Sequence, residues 1–100
     1  MILLTPTEIS TEYKSLLSNL SDNDKLRRFG YMTTEANLQK HVDNITNSST
    51  PVYGVFDPIH GLVAAIEVWK SDGIAELGLV VSDKTRGQGI GSTLFRNACV

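Results

Sequence analysis

Apolar residues recur along this chain with two different periods, and the change from one to the other falls near residue 50. Ile9, Tyr13, Leu16, Leu17 and Leu20 stand at helical spacing, with Glu12, Lys14, Ser18 and Asn19 on the opposite side. That spacing predicts an amphipathic helix over residues 7–20. Its start is marked by Thr5-Pro6-Thr7-Glu8: Thr5 as N-cap, Pro6 at the first helical position, and Glu8 reaching back to the cap. Such a cap contributes about 1 kcal/mol. Ahead of it, Ile2, Leu3 and Leu4 read as a short first strand.

Ser21-Asp22-Asn23-Asp24 forms a second cap, followed by a short helical segment through Leu26 and Phe29 that Gly30 ends. Thr33 or Thr34 caps a further helix with apolar positions Leu38, Val42 and Ile45. The period then shortens. Beyond the linker Asn47-Ser48-Ser49-Thr50-Pro51, β-rich runs cover residues 52–56, 62–70 and 74–81. Asp72-Gly73 is a favoured hairpin pair, and the loop at Asp57-Pro58-Ile59-His60-Gly61 joins the first two runs. The three strands therefore read as an antiparallel meander. Residues 62–66 are apolar throughout, which places that strand inside the sheet with both faces covered. A last helix is expected over residues 91–100, with Ile90, Leu94, Phe95 and Ala98 on one side. The order of elements is that of an α+β (mixed α/β) domain.

Composition narrows the partners. One hundred residues with 41% hydrophobic content fit one globular domain, and 20% charged residues make disorder a poor description. A formal net charge of -2, with no basic run, argues against nucleic acid as a partner. Lys25, Arg27 and Arg28 read as a solvated helix face. Cys99 is the only cysteine and reads as a small buried hydrophobe. The amino terminus lacks the features of a signal peptide, and no apolar run reaches the roughly 20 residues of a membrane span. The expected location is cytoplasmic, with no membrane partner.

The stretch with the most specific chemistry is Val80-Val81-Ser82-Asp83-Lys84-Thr85-Arg86-Gly87-Gln88-Gly89-Ile90-Gly91-Ser92, a strand running into a glycine-rich turn and then a helix. Alternate glycines keep Cβ atoms out of the turn, and its amides converge with the new helix's first amides on a place for an anion. A Walker loop would need Lys-Ser or Lys-Thr after the last glycine, where this chain has Gly91-Ser92. A dinucleotide fingerprint would need G-x-G-x-x-G after a parallel strand, whereas here the glycines run G-x-G-x-G after a meander.

Arg86-Gly87-Gln88-Gly89-Ile90-Gly91 matches the Q/R-x-x-G-x-G/A signature of the GCN5-related N-acetyltransferase (GNAT) family. Ala75-Glu76-Leu77-Gly78-Leu79-Val80-Val81 resembles that family's fourth strand, and Ser92-Thr93-Leu94-Phe95 the opening of its third helix. The segment from Leu20 to Gly30 resembles the "LS-x-x-D…RFG" stretch of one bacterial subgroup. The resemblance covers the amino-terminal two-thirds of an acyl-CoA N-acyltransferase-like fold, whose C-terminal strands have no counterpart within residues 1–100. It implies acetyl-CoA as cosubstrate and an amine acceptor; no metal is expected, since neither His41 nor His60 belongs to a ligand cluster. Backbone amides of Gly87, Gln88, Gly89, Ile90 and Gly91 would hold the pyrophosphate, and Ser92 could add a hydroxyl. Arg86 either adds charge near the phosphates or makes a surface ion pair. Main-chain groups of Leu79, Val80 and Val81 would bond the pantetheine arm, and Gly78 is read as a bulge or a close backbone approach that admits it.

Transfer to an amine needs a base, and Glu76 is the candidate. Alternation puts it on the side of Gly78 and Val80, and members sharing the Ala-Glu opening use a glutamate there; burial would raise its pKa. Glu67 is a second candidate, read as exposed or paired across the strands. His41 and His60 have no clustered carboxylate or cysteine partner in the sequence. The tyrosine that often serves as the family's acid lies beyond residue 100; Tyr13, Tyr31 and Tyr53 do not occupy its position. The region 21–35 resembles the part that lines the acceptor site. The edge of the strand 74–81 has no partner in the sequence, so the expectation is the amino-terminal portion of a longer GNAT-type domain, or a homodimer or second chain that completes the sheet. The alternative to an enzyme is a non-catalytic acyl-CoA sensor or interaction domain.

Overall fold

The helical half begins where its cap dictates. The Thr5 hydroxyl accepts from the Glu8 backbone N–H at 3.1 Å, and the Glu8 carboxylate accepts from the Thr5 N–H at 2.9 Å, closing the expected capping box. This is a feature of the computed structural model, which describes residues 1–30 and 33–82. The glycine-rich turn of residues 86–92, the helix expected over 91–100, Tyr31 and Cys99 lie outside the described residues.

The first helical stretch is not one unbroken α-helix. It runs as α1 (Pro6–Glu8), a π-helical turn (Ile9–Tyr13) and α2 (Lys14–Ser18). The Ser10 and Thr11 hydroxyls both donate to the Thr7 carbonyl, at 3.0 and 2.7 Å. Two side chains thereby compete with the regular ladder where it widens. The apolar side survives the irregularity: Ile9, Tyr13, Leu16, Leu17 and Leu20 are all buried. Helix α3 (Asp22–Phe29) starts at Ser21, whose hydroxyl accepts from the Asp24 N–H, and stops at Gly30 in the left-handed region with φ 77°. Phe29 packs on the core, whereas Leu26 is 45% exposed. Helix α4 (Glu35–Asn47) is capped by Thr34 and buries Leu38, Val42 and Ile45.

Four antiparallel strands follow the order β1-β2-β3-β4: β1 (Ile2–Leu3), β2 (Val52–Asp57), β3 (Gly61–Ser71) and β4 (Ile74–Val81). Asp72 and Gly73 both take positive φ, 51° and 80°, the geometry that a tight hairpin turn demands. Register between β2 and β3 slips by one residue between Val55 and Phe56, leaving Val63 as the extra residue.

Pairing sets the two sides of the sheet. Val52, Gly54, Ala65, Glu67, Trp69, Glu76, Gly78 and Val80 share the side on which the helices lie, and the main core forms there from Leu4, the helical apolar positions, Val52, Leu62, Ala65 and Val80. Ala64 and Ile66 are buried on the other side, with Tyr53, Val55, Leu77 and Val81 packed around them. Residues 62–66 of β3 are thus covered on both sides, as their unbroken apolar run predicts. Among the described residues no helix is long and apolar enough to cross a membrane.

Candidate functional site

At the middle of the helix-facing side of β3 stands a carboxylate. Glu67 is 0% exposed, although an isolated charge there would be strongly disfavoured. Three helical elements and its own strand supply donors. Arg28 Nη2, from the last turn of α3, and Trp69 Nε1, two residues along β3, each lie 2.8 Å from Glu67 Oε1. His41 Nε2, from α4, lies 2.8 Å from Oε2, and the Tyr13 hydroxyl at the end of the π turn donates to the same oxygen. Four donors on two oxygens match the acceptor capacity of an ionised carboxylate.

The electrostatics follow from this geometry. Burial by itself pushes the Glu67 carboxyl up, but the His41 hydrogen bond and the charges of Arg28 and His41, with Tyr13 assisting, outweigh it and leave the group below the ordinary glutamate range. Tyr13 moves the other way. Burial first, and the Glu67 charge beside it second, hold its phenol well above the ordinary tyrosine value. Glu67 therefore sits ionised and saturated, and it serves as an anchor rather than as a base. The cluster opens to water on one flank, where Arg28 and His41 are 20% and 21% exposed. Phe29 packs edge-on to the His41 ring at 5.2 Å and lies under the Arg28 guanidinium at 5.0 Å, while Trp69 flanks His41 at 6.4 Å.

Three sequence expectations change here. Glu67 is neither exposed nor merely paired across the strands; it accepts from four side chains on the helix-facing side. Arg28 belongs to no solvated helix face, because its guanidinium folds inward onto Glu67. His41, which lacks a carboxylate neighbour in the sequence, acquires one through folding. The sequence did carry a signal for Glu67, a single acid inside a strand whose preceding residues are apolar on both sides. Its partners lie 54, 39 and 26 positions away, beyond the reach of any local pattern.

Gly78 also finds a different explanation. Its register with Glu67 lies within an unbroken ladder from Ile74 to Val81, so β4 has no bulge there. A Cβ at Gly78 would come within 2.3 Å of Arg28 Nη2 and 2.8 Å of Arg28 Cζ. The close approach is made by the guanidinium on its way to Glu67.

Of the residues expected to carry the chemistry, Glu76 falls on the helix-facing side opposite Trp69, exposed to solvent near the hairpin end of β4. Leu79, Val80 and Val81 form the far end of β4, the edge strand of the described sheet, with Val80 buried toward the helices. Arg86, Gly87, Gln88, Gly89, Ile90, Gly91 and Ser92 lie outside the described residues. Among the described residues no three His, Cys, Asp or Glu side chains cluster as a metal site would need.

This arrangement of strands and helices has counterparts among solved structures. A ribosomal-protein-alanine N-acetyltransferase from Brucella melitensis superposes with a TM-score of 0.58 over 97% of this chain and 62% of its own, at 18% identity. An N-acetyltransferase from Staphylococcus aureus Mu50 gives a TM-score of 0.58 over 96% of this chain and 61% of its own, at 12% identity. The fold is that of the GNAT-type N-acetyltransferases. No family model and no curated protein sequence matches the chain. The chain spans about three-fifths of the length of the two GNAT-fold structures. The short first strand, the helical region and the meander of this chain come in the order that the sequence predicts.

Proposed function

We propose that residues 1–100 are the amino-terminal, acyl-coenzyme A-binding portion of a single GNAT-type N-acetyltransferase domain, which moves an acetyl group from acetyl-CoA to an amine of a small molecule or protein. The observation that carries this reading is the likeness of fold over 97% of the chain, joined to the sequence Arg86-Gly87-Gln88-Gly89-Ile90-Gly91, which follows the end of β4 at Val81 after Ser82-Asp83-Lys84-Thr85. Fold alone does not dictate chemistry, and the reading depends on the turn as well. Main-chain groups at Leu79, Val80 and Val81 bond the pantetheine arm along the edge of β4, and the amides from Gly87 to Gly91, with Ser92, hold the pyrophosphate where the sequence predicts a helix to begin.

If the native chain binds acetyl-CoA, ligand at a hundredfold excess over its Kd raises the unfolding free energy by about 2.7 kcal/mol. Differential scanning fluorimetry of the full natural chain reads this as a rise in Tm. An unchanged Tm at saturating ligand would reject the reading.

Glu76 takes a proton from the acceptor in this scheme. It is exposed, so it can pass that proton on to water. Glu76→Gln should lower kcat about a hundredfold, the usual contribution of a positioned base, and leave coenzyme A affinity intact. Steady-state kinetics with an amine panel, beside calorimetric titration of coenzyme A, separates the two effects. Full kcat in Glu76→Gln removes the residue from the mechanism.

A further inference from the structure

An acceptor amine that arrives as an ammonium has two protons to lose and one group to bind. R–NH3⁺ first gives up a proton to become the free amine. The nitrogen lone pair then forms the C–N bond at the thioester carbonyl carbon, and the carbonyl electrons move onto oxygen. When C=O reforms, the C–S bond breaks and its electrons leave with the coenzyme A sulfur. The nitrogen sheds its second proton, the thiolate takes up one, and one proton is released to water. Two proton acceptors near one nitrogen therefore serve the reaction better than one.

The Glu67 cluster contains a second acceptor in the right chemical state. An ionised carboxylate only accepts hydrogen bonds, so the His41 nitrogen 2.8 Å from Glu67 must carry its proton, and that nitrogen is Nε2. In the neutral ring Nδ1 is then the bare nitrogen, and it has no hydrogen-bond partner among the described residues. The ring cannot turn freely, because Phe29 and Trp69 stand against it. A buried carboxylate that accepts from one ring nitrogen and leaves the other with its lone pair parallels the carboxylate–imidazole half of a hydrolase triad, with the roles of the two ring nitrogens exchanged. Here the carboxylate is held by three further donors, Tyr13, Arg28 and Trp69, which keep it ionised and in place.

We propose that His41 is a catalytic base for the acyl transfer, acting at the acceptor nitrogen beside Glu76, and that Glu67 is the positioning residue that sets its tautomer. Resting on the acetyltransferase reading, this assignment adds a group from the helical layer to a site otherwise drawn from β4. His41 and Glu76 both neighbour Trp69: the ring of His41 approaches the indole at 6.4 Å, and Glu76 is the residue paired with Trp69 across the ladder. The amine would lie over that indole, where an alkylammonium is also attracted by the ring face. Among the described residues, the ionisable groups of the cluster that holds the imidazole are Glu67 on β3, Arg28 on α3 and Tyr13 on the π turn, with Glu76 on β4 paired to the neighbouring Trp69.

Two measurements on the full natural chain test the assignment. A long-range ¹H–¹⁵N spectrum of histidine-labelled protein should show the Nε2–H tautomer for the neutral ring of His41, and Glu67→Gln should abolish that preference. A dominant Nδ1–H tautomer in the wild type overturns the proposal whether or not any variant folds. His41→Gln keeps an N–H donor for Glu67 but has no basic nitrogen. It should lower kcat about a hundredfold, leave the Kd of acetyl-CoA unchanged, and alter the pH profile of the rate, because a basic nitrogen has been removed. Wild-type kcat and an unchanged pH profile in His41→Gln refute the assignment while acetyl transfer stands. Absence of acetyl-CoA binding in the wild type refutes the acetyltransferase reading, and the assignment falls with it.

Discussion

Replacing Glu67 with alanine is expected to lower the unfolding free energy by about 3–5 kcal/mol, the cost of removing one partner from a buried ion pair. The magnitude is large because Arg28, His41, Tyr13 and Trp69 all direct donors at this one carboxylate. Without it, the donors lose their shared acceptor, and Arg28 Nε is already buried without a partner. Against a typical domain stability of about 5–15 kcal/mol, such a loss leaves the native state marginal. Urea denaturation followed by the fluorescence of Trp69, the only tryptophan, measures it, since the indole itself bonds Glu67. A loss below about 1 kcal/mol would mean that the cluster is no anchor, because surface pairs reach that size. Glu67→Gln should cost less. Its carbonyl can still serve Arg28 and Trp69, and the Tyr13 hydroxyl can turn to accept from the amide.

The same cluster gives the fold a pH dependence at both ends. Glu67 has a folded pKa below its ordinary value, so around and below that value the unfolded chain binds a proton that the folded chain refuses. Its contribution is present above the ordinary glutamate value and is lost as pH falls toward the lower, folded one. Tyr13 has a folded pKa above its ordinary value, so the folded chain keeps a proton that the unfolded chain releases. Its contribution is complete below the ordinary tyrosine value and is lost as pH rises beyond it. The two edges have different main causes: the His41 hydrogen bond and the charges of Arg28 and His41 set the acid edge against burial, and burial followed by the Glu67 charge sets the alkaline one.

Local chemistry made much of this fold legible from sequence. Thr5 and Glu8 close their box, Ser21 and Thr34 cap their helices, and Asp72-Gly73 makes the hairpin, because each signal is complete within a few residues. Alternation along β4 placed Glu76, Gly78 and Val80 on one side, and the ladder to β3 agrees. The π turn was hidden because Ser10 and Thr11 act through hydroxyl bonds to Thr7 that an apolar period does not register. The site suffered most. Arg28 reads as a surface cation and His41 as an isolated imidazole until three helical elements bring them over one strand position. Gly78 shows the same limit. The sequence offers a glycine and its usual reasons, a bulge or a ligand, while the actual reason is a side chain 50 residues earlier.

Gly78 supplies the second large effect, and its sign depends on Arg28. A side chain at this position is not resisted by the backbone, since Gly78 lies in a regular ladder without positive φ. The obstacle is the guanidinium, 2.3 Å from where a Cβ would sit. Arg28 is flexible and can swing out, but doing so strips Glu67 of its permanent cation while the carboxylate stays buried. Gly78→Val should therefore cost about 3 kcal/mol, close to the loss of the ion pair itself, despite the β-propensity that valine brings. Arg28→Met reverses the expectation. With the guanidinium gone, the space over β4 is open, and Gly78→Ala in that background should be neutral or stabilising, because glycine weakens a strand. A double-mutant cycle in urea reads the coupling directly. A coupling energy near zero, with Gly78→Ala equally costly in both backgrounds, would show that position 78 answers to something other than Arg28. A coupling of about 2–3 kcal/mol, within the range for groups in direct contact, would tie the glycine of the edge strand to the carboxylate of its neighbour.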